Sequence, residues 1–291
     1  MAPVVEEVEV GEPGATGSRA HPRRRRLRIV AGVVAAGFAV GVVVFVMLWR
    51  SSGAHQVSTS AARQRFEQGS STSLAPTTAL RPAAGVYLYR GSGTEHLTLP
   101  PKSQSQGPQM PATVTHRSDG CWTFRIDYSS QHWQTWVYCP RDGGLVELGG
   151  QTFERWDFVF TKYDSTSSFT CAPASVAIRA GARPGDHWQQ TCRGTSTGTK
   201  GEAVSSGPYT FVGPDTVTVG GTRVAAYHFR QVRTVTGNQT GTQTTDLWFA
   251  QRDGLPLRNR RVVDLDTDTV VGSSKYTERG SFELASLAPQ R

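Results

Sequence analysis

From Gly85 onward the chain alternates apolar and polar residues over short segments, each broken by Gly, Pro, Asp or Ser. No ten-residue stretch beyond that point carries an apolar stripe at helical spacing. A two-residue period buries one face of an extended strand, so this part of the chain folds as β-sheet. Candidate strands are Val86–Arg90, Thr113–Arg117, Cys121–Tyr128, His132–Cys139, Thr152–Tyr163, Asp186–Cys192, Tyr209–Val212, Arg223–Thr236, Gln243–Ala250, Leu257–Leu265 and Val270–Glu278. Short, turn-like connections imply antiparallel pairing in a sandwich, barrel or half-barrel.

One hairpin specifies its own register. With its turn centred on Ser130, Cys121 faces Cys139, Trp122 faces Tyr138, Thr123 faces Val137 and Phe124 faces Trp136. Both sulfurs then share one side of the ribbon, and Trp122, Phe124, Ile126, Trp136 and Tyr138 share the other. Cross-strand aromatic pairs stabilise a sheet by roughly 0.2–1 kcal/mol each. This aromatic face is either core or the lining of a ligand cavity. In the second case Trp122, Phe124, Trp136 and Tyr138 are the ligand-facing residues.

Four cysteines in 291 residues are too few for a disulfide-dense mini-scaffold, and none has a close Cys or His at zinc-ligand spacing. The hairpin selects Cys121–Cys139 and leaves Cys171–Cys192. Each bridge closes a loop of about 20 residues, worth roughly 3 kcal/mol in the chain-entropy model. Paired cysteines of this kind belong to an oxidising compartment.

Ile29 to Trp49 is a run of 21 residues without a charge. As a helix at 1.5 Å per residue it spans about 31 Å, the thickness of a bilayer's hydrocarbon core. Arg23–Arg26 and Arg28 precede it and Arg50 alone follows, which sets residues 1–28 as a cytoplasmic tail and the remainder outside the membrane. Ser52-Gly53-Ala54 offers the small residues of a signal-peptide cleavage site, but the run exceeds the usual signal-peptide core, so a retained anchor is expected. Gly37 and Gly41 form a GxxxG spacing through which two such helices can pack as a weak homodimer. Residues 51–82, rich in Ser and Thr, read as a linker, within which Ala61 to Gln68 is a short helix stopped by Gly69.

The net charge of +8 is not gathered into a basic stripe interleaved with aromatics, so no nucleic-acid partner is expected. Nucleophile-elbow, zinc-helix and Ser-x-x-Lys motifs are missing, and no cofactor motif is present. Asp264, Asp266 and Asp268 mimic the start of a calcium loop, yet Thr269 replaces its Gly and Lys275 its terminal Glu. His96, His116, His132, His187 and His228 are scattered, and only the fold can bring any of them to a carboxylate. Trp136-Val137-Tyr138 before Arg141-Asp142-Gly143-Gly144-Leu145 is echoed by Trp248-Phe249-Ala250 before Arg252-Asp253-Gly254-Leu255, as either two related β-units or convergent Asp-Gly hairpin turns after aromatic strands would show.

Further motifs occur in order: Pro184-Gly185-Asp186-His187-Trp188, Tyr209-Thr210-Phe211-Val212-Gly213, Asp215-Thr216-Val217-Thr218-Val219-Gly220-Gly221, Asp246-Leu247-Trp248-Phe249 and Gly254-Leu255-Pro256-Leu257-Arg258. Over about 184–265 this resembles uncharacterised exported β-proteins with a P-G-D-x-W strand start and a G-L-P-x-R ending. Asp215 stands where those proteins often carry Glu. Residues 85–180 resemble a unit of actinobacterial single-pass membrane proteins. More loosely, the chain is similar to LolA/LppX-type half-barrel lipid carriers. That resemblance implies an amphiphile held in a concave sheet.

The combined expectation is an all-β domain over 83–291, an antiparallel sandwich or half-barrel, carried by one N-terminal transmembrane helix. It binds an envelope lipid, a glycolipid or a partner protein without catalysis. The rival expectations are an envelope-directed hydrolase that assembles His228 or His187 with Asp and Ser, and a structural subunit of a membrane complex.

Overall fold

The computed structural model describes residues 51–52, 55–69, 80–158, 161–269 and 272–290. The apolar run Ile29–Trp49, with Gly37 and Gly41, lies outside them. Among the described residues no helix is long and apolar enough to cross a membrane.

The elements follow as β1 (Ser51–Ser52), α1 (Thr59–Gly69), β2 (Gly85–Thr98), β3 (Pro101–Gln106), β4 (Gln109–His116), β5 (Trp122–Asp127), β6 (His132–Arg141) and β7 (Gly144–Asp157). Then come β8 (Lys162–Ile178), β9 (His187–Ser196), β10 (Thr199–Val219), β11 (Thr222–Gly237), β12 (Gln239–Ala250), β13 (Pro256–Thr269) and β14 (Gly272–Leu284). Strands β4 to β14 pair in sequence order, and β14 pairs with β2. Strand β2 in turn pairs with β4 over Gly85–Arg90 and with β3 over Gly93–Thr98. The sheet is therefore a closed antiparallel barrel of twelve strands with β3 as a flap, and neither the sandwich nor the half-barrel expectation survives. Closure removes the free edges that a half-barrel must protect.

The hairpin register is as derived: Trp122 pairs with Tyr138, Thr123 with Val137 and Phe124 with Trp136. Both disulfides form, Cys121–Cys139 and Cys171–Cys192. The Asp142-Gly143 turn between β6 and β7 has φ of 49° and 72°, the left-handed pair of a two-residue hairpin. Segment Thr152–Tyr163 is two strands rather than one, turned where Phe158 N–H donates to Thr161 O at 2.8 Å. In the stretch read as a linker, α1 buries Ala62, Arg65 forms an ion pair with Asp127, and Leu80 enters the core.

The barrel is divided along its axis. Toward the end formed by the β6–β7, β10–β11 and β12–β13 turns, inward side chains are aromatic and aliphatic. There Tyr89, Trp122, Phe124, Tyr138, Trp188, Tyr209, Phe229, Phe249 and Phe282 belong to a single core. Each large side chain buried there is worth roughly 1.5–3 kcal/mol. The two echoed turns meet in this floor, where a Cβ on Gly254 would stand 3.4 Å from Leu145 Cδ2. Toward the other end the inward positions are polar. Outward positions mix polar and apolar residues: Arg230, Asp246 and Arg260 form one cross-strand row, and Val232, Thr244 and Val262 form the next.

One seam is thin. Strands β8 and β9 share a ladder only over Ser167–Thr170 and Arg193–Ser196. Cys171–Cys192 continues the seam as the next rung. Below it, Trp188 Nε1 and Gln190 Nε2 both donate to Val176 O, at 2.7 and 2.6 Å.

Candidate functional site

Between the aromatic floor and the rim made by the β9–β10 and β11–β12 hairpins lies a partly open cavity of about 200 Å³. Its wall comes from β6 to β13, because alternate residues of those strands point inward. Trp136 and Tyr138 line it, whereas Trp122 and Phe124 lie in the core, 0% and 1% exposed. Trp122 donates its Nε1–H to Leu80 O at 3.0 Å, and Phe124 packs against Tyr89 with ring centroids 5.8 Å apart. The four candidate aromatics thus divide between cavity and core.

Polar side chains are woven through the wall. Gln190 Oε1 accepts from Arg233 Nη2 at 3.1 Å and lies 2.6 Å from the Gln231 amide. Burial pushes the Glu147 carboxyl up, against the pull of Arg233. Two hydroxyls lining the cavity, Tyr209 OH and Ser205 Oγ, are buried without a hydrogen-bond partner. Such atoms cost about 1–3 kcal/mol each unless something meets them.

Beside the cavity, a charged network links β2, β3, β6, β13 and β14. His132 Nδ1 binds Glu95, which also accepts from Gln104 and Gln106. Gln106 Nε2 reaches Glu278 Oε1 at 2.8 Å, and Arg261 bridges Glu278 to Gln134. Tyr276 OH donates to Glu278 Oε2 at 3.1 Å. Glu95, His132 and Glu278 bring ligand-type atoms within 4.8 Å of one another. The Gln106 amide and the Arg261 guanidinium already occupy that space, and His132 and Arg261 face Glu95 and Glu278, with Glu154 4.0 Å from His132 Nε2. The arrangement is a neutralised strut. Glu147, Cys171 and Cys192 cluster similarly, but their sulfurs are spent in the disulfide.

Burial lowers the His132 pKa, but the charge and hydrogen bond of Glu95, with Glu278 and Glu154, outweigh it and raise the imidazole to about 9. Burial raises Glu154 to about 7, helped by Glu95 and Glu278 and opposed by His132 and Arg261. For Glu95 burial acts upward, yet His132 and the two glutamines hold it below its ordinary value. Unfolded, Glu154 and His132 titrate near 4.5 and 6.5, so the native state keeps extra protons above those values. Their contribution is present at lower pH and is lost as pH rises, between about 4.5 and 7 for Glu154 and between about 6.5 and 9 for His132. The melting temperature is therefore expected to fall steadily from about pH 5 to 9, with His132→Gln flattening the upper half. A flat parent profile in a thermal-shift series would contradict this.

The histidines named as a hydrolase signature sit elsewhere. His228 Nε2 meets Asp246 Oδ1 at 3.0 Å on the outer wall, stacked on Trp248 at 4.1 Å. Among the described residues no serine hydroxyl is bonded to it, and His187 is exposed at the start of β9. Asp264 pairs with Lys275 at 2.8 Å across β13 and β14, which accounts for one of the three calcium-like aspartates. Sequence reasoning missed Glu95, Glu278 and Arg261. The only signal for them was inward parity on strands whose polarity hid the alternation.

No protein-family model matches the chain, and no curated protein matches it. Among solved structures, the crystal structure of the hypothetical lipoprotein YmcC from Escherichia coli (K12) matches with a TM-score of 0.33 and 10% identity. The match covers 77% of this chain and 97% of that one. A likeness at this level carries no functional argument, and it gives no support to an actinobacterial source.

Proposed function

We propose that the barrel is a non-catalytic binding domain of the cell envelope whose lumen takes the polar end of an envelope amphiphile. The carrying observation is the partly open cavity of about 200 Å³, with aromatic surface below and unpartnered hydroxyls in its wall. Sites of this kind orient a ligand with a few placed polar groups against an apolar lining. The two disulfides support an oxidising compartment. Ile29–Trp49, flanked by Arg23–Arg26, serves in this reading as a single-pass anchor with the barrel on the far side of the bilayer.

The test is native mass spectrometry of the full chain purified from membranes in mild detergent. A bound envelope amphiphile is expected on the parent. Ala203→Trp, which fills the lumen beside the rim, is expected to remove it while the folded circular dichroism is kept. Parent protein that carries no amphiphile and takes none up from an envelope lipid extract would overturn the reading.

A further inference from the structure

We infer that the cavity is built for an uncharged, hydroxyl-rich ring, a single glycosyl unit, rather than for an anionic headgroup or an acyl chain. The inference rests on the lumen reading and narrows its ligand. Volume is the first argument. A cavity of about 150 Å³ holds one benzene ring, so about 200 Å³ is room for one six-membered ring with its substituents and too little for a diacyl tail.

Charge is the second argument. Of the two cations in the cavity wall, Arg261 is held by Glu278 and Gln134, and Arg233 is bonded to the neutral Gln190 and shares the lumen with the Glu147 carboxyl. A phosphate or carboxylate entering here would lose its water and lie beside that carboxyl as well as beside Arg233. The remaining polar wall is neutral and works in both directions. Gln243, Thr245 and Asn259 supply amides and a hydroxyl that can donate or accept.

The third argument is unspent hydrogen bonding. Tyr209 is 2% exposed, and its OH and Ser205 Oγ, both on β10, face the cavity without partners. Asn238 Oδ1, at the rim, is also unpaired although its Nδ2 is bonded to Thr199 Oγ1 at 2.9 Å. Sugar hydroxyls satisfy such groups, while Trp136 and Tyr138 offer flat apolar surface to the C–H face of a pyranose ring.

The experiment measures binding to the full-length protein by native mass spectrometry and tryptophan fluorescence. The probes are monoglucosyl diacylglycerol, phosphatidylglycerol and diacylglycerol in nanodiscs, and methyl glucoside, mannoside and galactoside free in solution. The glycolipid or at least one methyl glycoside is expected to bind tenfold or more tighter than phosphatidylglycerol. Binding of the glycolipid alone assigns a lipid-borne sugar, and competition by a methyl glycoside assigns a free one. Either supports the inference. Tyr209→Phe is expected to weaken that binding about tenfold. Because it deletes an unpaired hydroxyl, the ligand-free melting temperature should stay at or above the parent's. Phosphatidylglycerol or diacylglycerol bound as tightly as the glycolipid would overturn the glycosyl assignment and leave the lumen reading standing. Water alone in the cavity, with no probe bound and no uptake from envelope extract, would overturn both.

Discussion

Exchanging Cys171 and Cys192 for alanine is expected to cost about 4–5 kcal/mol, against about 3 kcal/mol for the same exchange at Cys121 and Cys139. The loops are nearly equal, with sequence separations of 21 and 18 residues, so constraint of the unfolded chain contributes almost the same to each. The native surroundings differ. Cys121–Cys139 sits at the end of a hairpin already zipped from Trp122–Tyr138 to Asp127–Trp133 and braced by the Trp122–Tyr138 ring contact at 4.8 Å. Cys171–Cys192 follows a ladder of four residue pairs, below which only side chains bridge the two strands. Alanine is preferred to serine because Glu147 lies 3.8 Å from Cys171 Sγ and would accept a new bond from a hydroxyl. Urea unfolding of the two double variants decides the matter. Equal losses, or a larger loss at Cys121 and Cys139, would remove the seam argument.

Arg261→Met should be the most damaging single exchange, at about 3–5 kcal/mol. Its guanidinium is buried between Glu278 and Gln134, 5.0 Å over the Tyr128 ring. Methionine fills much of the volume but leaves the Glu278 charge without its cation. Adding Glu278→Gln removes that charge and is expected to restore at least half of the loss, since paired removal of buried ions is far milder than removal of one. Chemical denaturation at neutral pH of both single variants and the double gives the coupling directly. A double variant no more stable than Arg261→Met would mean that the strut works through shape rather than charge.

The contrast between these two regions explains what the sequence made legible. The Cys121–Cys139 hairpin could be registered residue by residue because one side is apolar and the other is not. The Asp142-Gly143 turn also announced itself, because only a few residues accept left-handed dihedrals in succession. Strand β3 could not be found that way. Its inward residues are Lys102, Gln104 and Gln106, as polar as its outward ones. The upper reaches of β8 and β10, which wall the cavity with Ser167, Ser168, Ala203 and Ser205, were missed for the same reason. A cavity meant for polar groups erases the hydropathy contrast by which strands are recognised. The charged strut joins residues as far apart as Gln106 and Glu278, 172 positions, which no local spacing encodes. Closure was equally hidden, since it depends on β2 exchanging one partner for another along a single edge.

The pairing of β14 with β2 also bears on how the chain is made. Residues 89–97 receive their second neighbour from 276–284, much later in the chain. A nascent chain emerging amino end first leaves that side of β2 without hydrogen-bonding partners until those residues have been made. Contacts of such long sequence separation form slowly, and an open edge invites pairing with another chain. Ribosome stalling or truncation ahead of residue 276 should therefore yield an aggregation-prone fragment rather than a smaller working barrel.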